Sequence, residues 1–188
     1  MPRVIALLFF GCLGLVLPAT AAAQTSSTGG AQFSDPAPIV APGAKATLLP
    51  DGSAAAPAEA PPEVQAAIFA ANKLLDKPYK YGGGHAKVED SGYDCSGTVS
   101  YALRGAGLLK TPLDSSSFMR WGLKGTGTWI TVYSNPGHAF AVIAGLRLDT
   151  STGGITSRRI TRTAERGPRW RAAMRTTRGF KKRHPVGF

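Results

Sequence analysis

Cys95, His138 and Asp149 are the residues whose types and spacing could do chemistry. Nucleophilic catalysis by a thiol needs a thiolate, an imidazole to generate or pair with it, and a polar group that orients the ring. Cys95 sits within Tyr93-Asp94-Cys95-Ser96-Gly97, and Val99, Ala102, Leu103 and Ala106 follow at helical spacing. Asp94 stands where an N-cap would be, so the thiol falls in the first turn of a predicted helix. There, unpaired backbone N–H groups and the helix dipole favour an anion. The alternatives for Cys95 are a small buried core residue or an intermolecular partner. For His138 the alternative is a hydrogen-bonded residue at a strand end.

His138 to Ile143 and Leu146 to Thr150 read as two strands joined by Ala144-Gly145. If those two residues form a hairpin turn, Phe140 faces Asp149 and His138 faces Ser151. Alternation then places His138, Phe140, Arg147, Asp149 and Ser151 on one face, with His138 and Asp149 as diagonal neighbours. A one-residue slip would present Thr150 instead. His85, in a loop near the cysteine, is a competitor for the base role. His184, among Lys181, Lys182 and Arg183, reads as a solvated or structural residue. No pairing of histidines and cysteines has metal-ligand spacing, so neither a metal nor another cofactor is expected.

The elements that must position these residues follow from the periodicity. Pro61-Pro62-Glu63 reads as a helix start, and Val64, Ala67, Ile68, Ala71, Leu74 and Leu75 form one apolar stripe. Lys77-Pro78 ends it, and Tyr79-Lys80-Tyr81 runs into the glycines 82–84. A short helix is expected near Ser115–Trp121. Trp129 to Tyr133 is a strand, and Ser134-Asn135-Pro136-Gly137 a turn. Helices first and strands afterwards predict an α+β domain with an antiparallel sheet.

Of 188 residues, 43% are hydrophobic and the formal charge is +11. Gly and Pro follow no period, which excludes collagen-like and coiled-coil chains. Residues 1–23 read as an export signal: Arg3, an apolar run from Val4 to Leu17, and a small-residue cleavage site at Ala21–Ala23. The run is short for a membrane span, so no stable span is expected once the signal is removed. Cleavage also removes Cys12, leaving Cys95 as the single thiol of an exported protein. Residues 24–60, rich in Ala, Pro, Ser and Gly, read as a disordered linker, and 61–188 as the folded domain. Eleven of the 22 Lys/Arg lie in 158–188, where Glu165 is the lone acid. That basic segment reads either as further strands with a basic outer face or as a binder of anionic envelope polymers. Nucleic acid is not an expected partner of an exported chain.

Three segments together resemble the NlpC-type (p60-like) family of bacterial cell-wall cysteine peptidases. They are Pro78-Tyr79-Lys80-Tyr81-Gly82-Gly83, Tyr93 to Gly97, and Gly137-His138-Ala139-Phe140-Ala141-Val142. The resemblance covers about residues 64–150 and implies a papain-like α+β fold, with the cysteine helix packed on an antiparallel sheet. It implies cleavage of an amide in peptidoglycan stem peptides, often between D-glutamate and the diamino acid. It assigns Cys95 as nucleophile and His138 as base. Asp149 falls at the third polar position, more usually histidine, asparagine or glutamine. Tyr79 is assigned to oxyanion stabilisation, and Asp94 and Ser96 to the substrate's amine end. In place of the family's Pro-Gly-Asp-Leu-like stretch, this chain has Thr128-Trp129-Ile130-Thr131-Val132. The expected protein is therefore a secreted or periplasmic (cell-envelope) bacterial hydrolase. The other readings are a non-catalytic cationic envelope binder on the same scaffold, or an amidase or transferase using the same Cys–His pair.

Overall fold

A computed structural model describes residues 38–152 and 165–188. The export-signal segment lies outside the described residues, as do the first part of the Ala/Pro-rich block and the stretch 153–164. Helix α1 (Pro62–Asn72) starts as its prolines and Glu63 require and buries Val64, Ala67, Ile68, Ala70 and Ala71. Helix α2 (Cys95–Gly105) is capped by Asp94, whose carboxylate accepts the Gly97 N–H at 2.7 Å. The short α3 (Ser115–Phe118) is capped in the same way by Asp114.

The strands form two sheets. Strands β4 (Leu123–Lys124), β5 (Ile130–Asn135), β6 (His138–Ile143), β7 (Leu146–Ser151), β8 (Glu165–Arg171) and β9 (Lys181–His184) make one six-stranded sheet. Its order is β4-β9-β5-β6-β7-β8, with antiparallel pairing throughout. Ala139, Ala141, Ile143, Leu146 and Leu148 join Val64, Ile68, Val99 and Leu103 in one core, so the cysteine helix and the sheet share their apolar faces. This is the α+β arrangement, helices against an antiparallel sheet, that the sequence resemblance implied.

The linker reading of 24–60 needs correction from residue 38 onwards. Strands β1 (Val40–Ala41), β2 (Thr47–Leu48) and β3 (Ala54–Pro57) form a small second sheet in the order β1-β3-β2. Ala54, Ala55 and Ala56 are fully buried. Their small side chains let β3 lie close against α1, and the β3 backbone is satisfied on both edges by β1 and β2. Asn72 of α1 completes the attachment, accepting the Ala54 N–H at 3.0 Å and donating to its carbonyl at 2.9 Å. The same Asn72 oxygen accepts the Trp170 indole N–H from β8 at 2.8 Å.

Candidate active site

The β6–β7 turn decides which side chains meet. Ala144 and Gly145 both have positive φ, 46° and 91°, as a two-residue hairpin of matching twist requires. The register pairs Ala141 with Leu148, Val142 with Arg147 and Ile143 with Leu146. On that register His138 and Asp149 share a face, and His138 Nε2–H donates to Asp149 Oδ1 at 2.8 Å. At the start of β6, the Asn135 side chain accepts the backbone N–H groups of Gly137 and His138, each at 2.9 Å, and so holds the imidazole's anchor point.

Asp149 is fully enclosed, with 1% of its surface exposed. Its Oδ1 also accepts the Ser151 N–H at 2.9 Å, and its Oδ2 faces Arg175 Nη1 at 3.1 Å and Arg147 Nη1 at 3.6 Å. Burial pushes the carboxyl up. The hydrogen bond from His138 and the neighbouring positive charges, Arg175 among them, outweigh it, and Asp149 titrates below the usual carboxylate range. For His138, burial pulls the imidazole down, but hydrogen bonds to Asp149 and then to Cys95 outweigh it and raise it to about 9. Because Nε2 is committed to Asp149, Nδ1 is the nitrogen left for the sulfur.

Cys95 is buried at the first position of α2. Its Sγ lies 3.6 Å from Ser115 Oγ, at the start of α3. Ser134 of β5 holds that turn by donating its hydroxyl to the Ser115 carbonyl. The helix starts of α2 and α3 therefore converge on the sulfur.

His85 is not aimed at the sulfur. Its Nε2–H donates to Asp94 Oδ1 at 3.0 Å and lies 3.3 Å from Ser96 Oγ. The Asp94 bond raises the His85 imidazole from its ordinary value. Asp94 is itself committed to the backbone, accepting Gly97 N–H and, through Oδ2, Gly82 N–H at 3.0 Å. An added Cβ at Gly97 would sit 2.0 Å from the Gly83 carbonyl, so glycine is what lets the 82–84 loop close over the helix start. Tyr79 is half-buried and its backbone bridges Tyr93, two residues before the cysteine. His184 belongs to β9, and its Nδ1–H donates to the Pro185 carbonyl at 3.0 Å.

Sequence reasoning missed Ser115, Ser134 and the roles of Arg147 and Arg175. Arg147 was visible as a residue on the His138 face of the hairpin, which was the available signal. Nothing local distinguishes Arg175 from the other cations of its segment. Among the described residues no cluster of His, Cys, Asp and Glu has the form of a metal site, and no helix is long and apolar enough to cross a membrane.

No protein-family model matches the chain, and no curated protein matches it. Among solved structures it is similar to the peptidoglycan hydrolase RipB from Mycobacterium tuberculosis. The two are 18% identical with a TM-score of 0.47, over 67% of this chain and 66% of that one. The chain thus spans just under two thirds of the length of that neighbour.

Proposed function

We propose that this protein is an exported cysteine hydrolase of the NlpC/p60 type that cuts an amide bond in peptidoglycan stem peptides. The observation that carries the reading is the imidazole of His138 held between a buried carboxylate and the sulfur at a helix start. An imidazolium beside a sulfur that also faces the positive end of α2 favours the thiolate. The thiolate attacks the amide carbonyl, and the carbonyl electron pair moves to oxygen. The backbone N–H of Cys95 and the Tyr79 hydroxyl receive that oxyanion. Collapse breaks the C–N bond, with the proton on His138 Nδ1 passing to the departing amine. Neutral His138 then takes a proton from water, which hydrolyses the thioester and frees the thiolate. Asp94 and Ser96 meet the amine side of the peptide, and the bond cut is that between D-glutamate and the diamino acid.

The protein acts in the cell envelope after loss of residues 1–23. Exposed Arg166, Arg178, Lys181 and Lys182 draw it to anionic envelope polymers, an attraction that weakens with salt. Incubation with purified peptidoglycan, followed by mass spectrometry of the released fragments, tests the reading. Fragments ending in D-glutamate are expected from the wild type and none from Cys95→Ala. Intact peptidoglycan after wild-type treatment, or equal release by the variant, would overturn it.

A further inference from the structure

We infer that Arg175 is a positioning residue of the site, and that the segment 172–180 between β8 and β9, whose Arg178 faces outward, turns Arg175 inward as part of the hydrolytic apparatus. The inference rests on the proposed hydrolase reading and adds a fourth member to its Cys–His–Asp set.

Arg175 lies in a segment whose charge suggests solvent, yet only 5% of its surface is exposed. Its guanidinium is held on two sides. Nη1 meets Asp149 Oδ2 at 3.1 Å, and the planar group lies over the rings of Phe140 and Phe180, at 5.4 and 5.5 Å from their centroids. Phe180, from the same segment, packs edge-on against His138 at 6.4 Å and against Phe140 at 5.2 Å. Tyr133 stacks on Phe140 at 4.8 Å. The segment therefore touches both members of the His138–Asp149 pair, one through charge and one through an aromatic edge.

The geometry divides the carboxylate's labour. Oδ1 serves His138 and the Ser151 N–H, and Oδ2 serves Arg175 and, at longer range, Arg147. A carboxylate bound only through Oδ1 could rotate about its Cβ–Cγ bond and carry the imidazole with it. With Oδ2 pinned, that rotation is blocked and the ring keeps Nδ1 on the sulfur. Arginine suits this place because a flat, permanently charged group both stacks on aromatic rings and pairs with an oxygen, which an ammonium does less well. The third position of the resembled family is more usually neutral. An aspartate there needs a counter-charge beyond the histidine, and Arg175 with Arg147 supplies it.

The charged groups facing Asp149 are His138 from β6, Arg147 on its own strand, Arg171 from β8 and Arg175, with Cys95 of α2 behind the imidazole. Removing Arg175 takes one cation from this set and leaves the carboxylate easier to protonate. The acid edge of the Cys95–His138 couple then moves upward. The test is the rate of Cys95 alkylation by iodoacetamide against pH, read alongside kcat and KM on peptidoglycan, for wild type, Arg175→Met and Arg175→Lys.

For Arg175→Met the expected result is an acid edge about one pH unit higher. With it goes a kcat lower by about 10–100-fold at unchanged KM. Arg175→Lys should restore the acid edge because it restores the charge. If Met costs the fold, as a thermal melt would reveal, Arg175→Gln is read in its place, since it keeps an N–H donor and loses only the charge. An acid edge and kcat equal to wild type in a folded neutral variant would overturn the inference, as would a Lys variant that behaves like Met. Because alkylation needs no substrate, a shifted edge in a protein that leaves peptidoglycan intact would sink the substrate reading and keep Arg175's role.

Discussion

His138 and Asp149 meet at 2.8 Å, and His85 and Asp94, the residue next to Cys95, meet at 3.0 Å. Both imidazoles are raised by their carboxylates, yet the pairs do different work. The Asp149 side chain is fully enclosed and spends its oxygens on His138, two arginines and the Ser151 N–H. The Asp94 side chain keeps 11% of its surface exposed and, besides His85, spends its oxygens on the backbone N–H groups of Gly97 and Gly82 and on the Ser96 hydroxyl. One carboxylate orients a ring toward the sulfur. The other caps the helix that carries the sulfur, and its histidine is a surface partner with about a quarter of its side chain exposed, at 26%. A His–Asp contact near a cysteine is therefore insufficient to name a base: what the carboxylate does with its remaining lone pairs decides the role.

The largest effect should come from His138→Ala, which removes the proposed proton carrier and should lower kcat by about 10²–10⁴-fold in peptidoglycan turnover. Asp149→Asn should follow. It leaves Arg147 and Arg175 buried around a neutral amide, so unfolding free energy should fall by about 3–5 kcal/mol in denaturant titrations. Asp94→Ala strips the N-cap of α2 and should cost about 1 kcal/mol by the same assay, with a raised KM if the proposed amine contact is lost with it. His85→Ala should change stability by about 0–1 kcal/mol, because a partly exposed pair is screened by solvent. A His85 variant as damaging as the His138 variant would dissolve the contrast.

The pH dependence sharpens it further. A histidine raised in the folded state contributes stability fully below its unfolded value, near 6.5, and loses that contribution as pH rises through about 9. Asp149, lowered in the folded state, contributes above the ordinary carboxylate value and loses its contribution as pH falls below it. Turnover should therefore hold through neutrality and decline above about 9 as His138 loses its proton, a limb that a pH–rate profile would trace.

Local chemistry made much of this legible from the residues alone. Ala144-Gly145 specifies a two-residue turn, and that turn alone sets the register that joins His138 to Asp149. Asp94 before an apolar helical stripe specifies the cap and with it the place of the sulfur. What stayed hidden depends on contacts distant in the chain. Ala54–Ala56 carry no periodic signal, because alanine reads alike in a tether and in a close-packed strand. Their order comes from Asn72, which lies 18 positions away. Arg175 counts as charge in any local reading, and its burial follows from meeting an aspartate 26 positions earlier. Ser115 reaches Cys95 only because α3 docks on β5 through Ser134.

The central claim is that His138 is held, protonated, between Asp149 and Cys95. An NMR titration of the His138 ring in the wild type and in Cys95→Ala measures it directly. The account predicts a midpoint near 9 for the wild type, falling when the sulfur is removed but staying above 6.5 while Asp149 remains. A midpoint near 6.5 that is indifferent to the loss of Cys95 would contradict it.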